Sequence, residues 1–99
     1  MFGDRNPKRR IERQLRAVVQ EIADARAQVA VVTEQWAAFQ EDDDDARSRA
    51  LASESYDDAR NAEHAHRHAE VMKAAVAKAE RRVVELETRR DQLLKSYEP

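Results

Sequence analysis

The sequence predicts an all-α fold: an antiparallel two-helix coiled-coil hairpin, expected to dimerise into a four-helix bundle. Three observations lead there. From Ile11, apolar residues recur at alternating steps of four and three: Ile11, Leu15, Val18, Ile22, Ala25, Val29, Val32, Trp36 and Phe39. A second run keeps the same beat from Ala62 through Ala65, Ala69, Met72, Val76, Ala79, Val83 and Leu86, then Arg90, Leu93 and Tyr97. Such steps average about 3.5 residues, the period at which a helix presents one continuous seam to a supercoiled partner. The third observation is composition. Charged residues make up 38% of the 99 residues, aromatics 5%, and glycine occurs once. That is the profile of long solvated helices, and a chain this short buries only a thin core unless it associates.

The elements follow from the punctuation. Met1 to Asn6 holds the glycine and has no periodicity, so a flexible N-terminal tail is expected over 1–6. Asn6-Pro7 is a good helix start, because asparagine can cap the first free amides and proline fits the first helical position. No further proline or glycine occurs before Pro99, so the break between helices needs another signal. One candidate is Glu41 to Asp45, where consecutive acids repel and disfavour a helix interior. The other is Ser53-Glu54-Ser55, where Ser55 and Asp58 have the spacing of a capping box and Asp57 and Asp58 would favour the positive end of a helix.

Pairing the seams selects between them. In an antiparallel pair, the numbers of facing residues add to a constant, and a turn near residue 54 sets it at 108. Ala25 then faces Val83, Val29 faces Ala79, Trp36 faces Met72 and Phe39 faces Ala69, while Leu15 faces Leu93 and Ile22 faces Leu86, so large residues mostly meet small or flexible ones. Flanking positions bring Glu21 to Arg89, Arg26 to Glu80 and Asp42 to His68. A constant of 101 places Arg26 beside Lys73 and Glu12 beside Glu87, both repulsive. A turn in the aspartate run leaves Val83, Leu86, Leu93 and Tyr97 without partners. The reading is therefore a single hairpin domain over 7–98, with helix 1 at about 7–52, a turn at about 53–55 and helix 2 at about 55–97.

Each helix of a hairpin buries one stripe. Helix 1 carries a second stripe in Ala23, Ala27, Ala30 and Ala37, which reads either as plain helix propensity or as the interface of a homodimer. Two polar residues interrupt the seams. Asp43 falls opposite Ala65 and Arg90 opposite Val18. Both are candidates for register devices; alternatively Asp43 lies where the coil splays and Arg90 snorkels to water.

Little in the chain points to chemistry. There is no cysteine, hence no disulfide framework or thiolate metal site. No nucleophile–base–orienter set and no Gly-rich phosphate loop occurs, so the chain is read as not an enzyme and without a cofactor. His64, His66 and His68 come nearest to a motif. His64 and His68 share a face at the four-residue spacing that chelates metals, with Asp42 as a conceivable third ligand. Solvated histidines, or a pH-sensitive pairing with the aspartates, are the other readings.

Charge is polarised. Residues 31–77 hold five Lys/Arg against eleven Asp/Glu, whereas the remainder holds thirteen against nine, for a net charge of −2. Lys8, Arg9, Arg10 and Arg13 open the first helix, where cations oppose its dipole. These residues and the acidic Asp42, Asp43, Asp44 and Asp45 are the candidate interaction surfaces. The basic run lacks interleaved aromatics, so a specific nucleic-acid reader is not expected. No apolar stretch approaches the ~20 residues of a membrane span, and the N-terminus lacks a secretory segment. A soluble cytoplasmic protein is the default.

The stretch Asp44-Asp45-Ala46-Arg47-Ser48-Arg49-Ala50-Leu51-Ala52-Ser53-Glu54-Ser55, the Ala/Arg/His segment to Val71 and the ending Glu85-Leu86-Glu87-Thr88-Arg89-Arg90-Asp91-Gln92-Leu93-Leu94 resemble a group of small uncharacterised coiled-coil proteins of high-GC Gram-positive (actinobacterial) type. In that group a proline often follows the serine-containing break, where this chain has Tyr56. The resemblance implies a bacterial cytoplasmic setting and no activity. The function expected is a non-enzymatic protein-interaction module, scaffold or regulatory subunit, dimeric and with an unidentified protein partner. The alternative resembles, in architecture only, transcription regulators that insert an acidic-tipped hairpin into the RNA polymerase secondary channel, with Asp42 to Asp45 as the tip carboxylates.

Overall fold

The structure, a computed structural model, describes residues 6–98; of the expected tail only Asn6 lies within them. Two helices pack against each other, and the described residues contain no strand. Helix α1 spans Pro7–Ser53 (47 residues) and α2 spans Tyr56–Tyr97 (42 residues). At the start of α1 the Asn6 side chain accepts the Lys8 N–H at 3.0 Å, and the Asn6 carbonyl accepts the Arg10 N–H at 3.2 Å. Pro7 therefore occupies the first helical position, where its missing N–H costs nothing.

Helix α1 continues through Glu41–Asp45. Within that run only Asp43 turns inward; the other four acids stay in solvent, and Ala46 behind them is buried. Burial of a seam face outweighs the local repulsion, as is usual for helices stabilised by tertiary packing. The break comes at Glu54 and Ser55. Glu54 has a left-handed backbone (φ 54°) and donates its N–H to the Ala50 carbonyl at 3.4 Å. This is the helix-terminating conformation that glycine usually takes.

Ser55 caps α2 by accepting the Asp58 N–H on Oγ at 3.4 Å. The reciprocal half of a capping box is absent. The Ser55 N–H goes instead to Ser53 Oγ at 3.3 Å, and the Ser53 hydroxyl donates to the Asp58 carboxylate. Aspartate is one methylene shorter than the glutamate of a regular box, and Ser53 bridges the shortfall. Replacing Ser55 by alanine should cost about 1 kcal/mol, read as a lower urea midpoint with an unchanged denaturant slope. An unchanged midpoint would show that the Ser53–Asp58 pair alone terminates α2.

Every seam position from Ile11 to Ala50 and from Ala62 to Tyr97 is buried or half-buried. Packing divides the chain into two compact units. The terminal unit joins α1 up to Gln28 with α2 from Ala79, and the turn unit comprises Val29–Lys78. In the terminal unit Val18, Ile22 and Leu86 form the core, with Ala25 and Leu93 against it. In the turn unit the buried residues are Val32, Ala46, Ala69 and Val76, together with Asp43.

Contacts within each unit report the register. The numbers add to 109 for Glu12–Tyr97 in the terminal unit and for Asp43–His66 in the turn unit, and to 107 for Phe39–His68. These values straddle the expected 108 and exclude a one-heptad shift. The flanking ion pairs differ from expectation. Glu21 meets Arg82 at 3.4 Å rather than Arg89, and Arg26 meets Glu87 at 2.8 Å rather than Glu80. For Arg26 the reason is side-chain direction. Helix side chains lean toward their own N-terminus, so in an antiparallel pair Arg26 and Glu87 lean toward each other while Arg26 and Glu80 lean apart. Exposed pairs of this kind contribute roughly 0–1 kcal/mol, too little to decide the register.

Candidate functional site

The least ordinary environment lies in the turn unit, around Asp43. A carboxylate here is only 3% exposed, on a seam otherwise made of apolar residues. An unpaired buried charge would be strongly destabilising. Asp43 Oδ2 is met by His66 Nδ1 at 3.1 Å across the seam and by the Arg47 guanidinium at 3.6 Å, one turn further along α1. Since an ionised carboxylate only accepts, the His66 Nδ1–H donates. Both partners keep more than half of their side-chain surface in water. The arrangement lets α1 hold a charged group in its seam at a level where α2 offers a donor, which is how a polar seam residue favours a register.

The other histidines go elsewhere. His64 Nδ1 takes the Arg67 guanidinium at 2.9 Å on its own helix. His68 stands edge-on to Phe39, with ring centres 5.9 Å apart and planes at 86°. A shallow cleft of about 300 Å³ opens beside this pair, walled also by Val71 and Met72. His64, His68 and Asp42 are thus not gathered around a common centre, and among the described residues no group of three or more His, Cys, Asp or Glu is placed to hold a metal. The expected Asp42–His68 contact is replaced by Asp43–His66. His64 and His68 share a face of α2 by their spacing, but the histidine that stands across the seam against Asp43 is His66.

At the other polar seam position, Arg90 is half-buried and turns its guanidinium to Asp91 at 3.1 Å. Its aliphatic stem fills the seam while its charge reaches water.

In the terminal unit the basic residues Lys8, Arg9, Arg10 and Arg13 are all exposed on the first turns of α1. Lys8 is not a purely solvated cation: its ammonium sits 5.7 Å from the centre of the Tyr97 ring. The Tyr97 hydroxyl donates to Glu12 Oε1 at 3.0 Å, tying the end of α2 to α1. This hydrogen bond and the negative charge of Glu12 hold the Tyr97 phenol above its ordinary value of 10.0. A raised folded-state value means that the unfolded chain loses this proton first. The contribution of Tyr97 is therefore complete below about pH 10 and is lost as pH rises through the folded value. Alkaline unfolding should accordingly be less steep in Tyr97→Phe than in the parent; equal slopes would show that Glu12 does not bind the phenol in solution.

The remaining candidates are placed simply. Asp42, Asp44 and Asp45 are exposed on α1, as are Ala23, Ala27, Ala30 and Ala37. No helix among the described residues is long and apolar enough to cross a membrane. Compared with known proteins, the chain matches no protein-family model, no curated protein and no solved structure.

Proposed function

We propose that this chain is a non-enzymatic coiled-coil interaction module of bacterial, cytoplasmic type, a scaffold or regulatory subunit that works as a homodimer and presents oppositely charged surfaces to a protein partner. The observation that carries the reading is the segregation of charge between the two packed units. The terminal unit, residues 1–28 and 79–99, holds twelve Lys/Arg against nine Asp/Glu, a net of +3; the turn unit, residues 29–78, holds six against eleven, a net of −5. Charge sorted in this way steers encounter and orientation, whereas a helix pair selected for stability alone gains nothing from it. Lys8, Arg9, Arg10 and Arg13 form the basic surface, and Asp42, Asp44 and Asp45 the acidic one.

Self-association is supported by the thin core, since each helix buries one seam and Ala23, Ala27, Ala30 and Ala37 stay in solvent. Sedimentation equilibrium tests it. A mass near twice 11.4 kDa is expected at micromolar concentration, with a melting temperature that rises with protein concentration. A mass of 11.4 kDa throughout that range would overturn the dimeric part of the proposal.

A further inference from the structure

On the face of α1 opposite the buried seam, a second row runs at steps of four and three, and every residue in it from Arg9 to Glu41 is exposed. Its order along the helix is not random. It begins with Arg9, Arg13 and Arg16, passes through Gln20, Ala23, Ala27 and Ala30, and ends with Glu34, Ala37 and Glu41. Cations come first, small residues lie in the middle and anions come last. Such a sequence is complementary to itself when reversed.

We infer that a second copy of this chain covers this row, with the two α1 helices antiparallel about a two-fold axis between Ala23 and Ala27. The inference rests on the homodimer proposed above and specifies its surface and direction. Facing residues then have numbers adding to 50, which sets Arg9 against Glu41, Arg13 against Ala37, Arg16 against Glu34, Gln20 against Ala30 and Ala23 against Ala27. A two-fold axis repeats each contact, so Arg9 and Arg16 of each copy meet Glu41 and Glu34 of the other on both sides of it. The alanines at the centre let the two backbones approach closely. A parallel arrangement in register would instead set Arg16 on Arg16, Glu34 on Glu34 and Glu41 on Glu41, and like charges brought together oppose association. Moving the antiparallel pair by one heptad loses one of the two ion pairs: a constant of 57 sets Glu34 against Ala23, and a constant of 43 carries Glu41 past the start of α1.

The absence of cysteine makes a cross-linking test direct, because introduced thiols are the only ones. Full-length Gln20→Cys and Ala30→Cys proteins are mixed and oxidised. The antiparallel dimer should give the mixed disulfide, whereas Ala30→Cys alone should not link. In that arrangement two copies of residue 30 are offset by ten residues, about 15 Å along the helix, beyond the ~7 Å Cα separation a disulfide spans. In parallel, Arg16→Glu should raise the dimer dissociation constant about tenfold at low salt, and adding Glu34→Arg to the same chain should restore it. A dimer that links Ala30→Cys to itself, or that forms neither disulfide and ignores the charge exchange, overturns the inference and leaves the homodimer standing. A chain that sediments as a monomer overturns both.

Discussion

Truncating Leu86 to alanine should destabilise the protein by about 2–3 kcal/mol, the lower part of the range for buried leucines. Leu86 is 3% exposed and packs with Val18 and Ile22, so its removal takes a side chain from the centre of the terminal unit's core. The lower part of the range applies because a two-helix seam has no third layer: Ala25 and Leu93 stand at its margin and can move into the space. For a domain of this size the loss is a large share of total stability. The comparison is Val84→Ala on the same helix. Val84 is 61% exposed, and its truncation should change stability by less than about 0.5 kcal/mol. Urea denaturation of both variants checks the pair. Equal effects would mean that the seam residues are not buried together in solution.

Replacing Asp43 by leucine should act in the opposite direction and raise stability by about 1–2 kcal/mol. A buried carboxylate is desolvated, and its attraction to His66 and Arg47 is weakened because both partners remain largely in water. An apolar side chain of similar volume avoids that desolvation and packs along the seam. The gain comes with lost discrimination, since a leucine fits any level of α2 whereas a carboxylate needs a level that offers a donor such as His66. Thermal unfolding gives the sign. A lower melting temperature for Asp43→Leu would show that the Asp43–His66–Arg47 cluster contributes more than its desolvation removes.

The two seams were readable because their signal is repeated many times. Each misplaced residue among Val18, Ile22, Val32, Val76 or Leu86 would put an apolar side chain in water, so period and burial agree along both helices. The register was readable for a related reason: matching two long seams leaves only choices seven residues apart. Charged flanks carry no such redundancy. Arg26 has a glutamate on either side of its level, at Glu80 and Glu87, and the lean of the side chains rather than proximity along the axis decides between them. Asp43 was visible as an irregularity in the seam, but its partner was not. His66 lies outside the apolar pattern, and only three-dimensional placement across the seam distinguishes it from His64 and His68. The half-formed capping box has a similar origin, because the substitute donor, Ser53, stands before the cap and outside the motif.

Contacts across the seam differ widely in the length of chain they enclose. Asp43 and His66 are 23 residues apart, Arg26 and Glu87 61, and Glu12 and Tyr97 85. The entropy of closing a loop grows with the logarithm of its length, so short loops close first and each closure shortens the next. Assembly should therefore start beside Glu54 and Ser55 and travel outward like a zip. The Asp43–His66 contact would form early and the Tyr97–Glu12 contact last. Substitutions in the turn unit should then slow refolding, whereas Leu86→Ala should leave the refolding rate nearly unchanged and hasten unfolding instead. On this view the buried carboxylate lies where an error of pairing would be inherited by every later layer. Its cost to the folded state is set against choosing the register at the one moment when choice is still open.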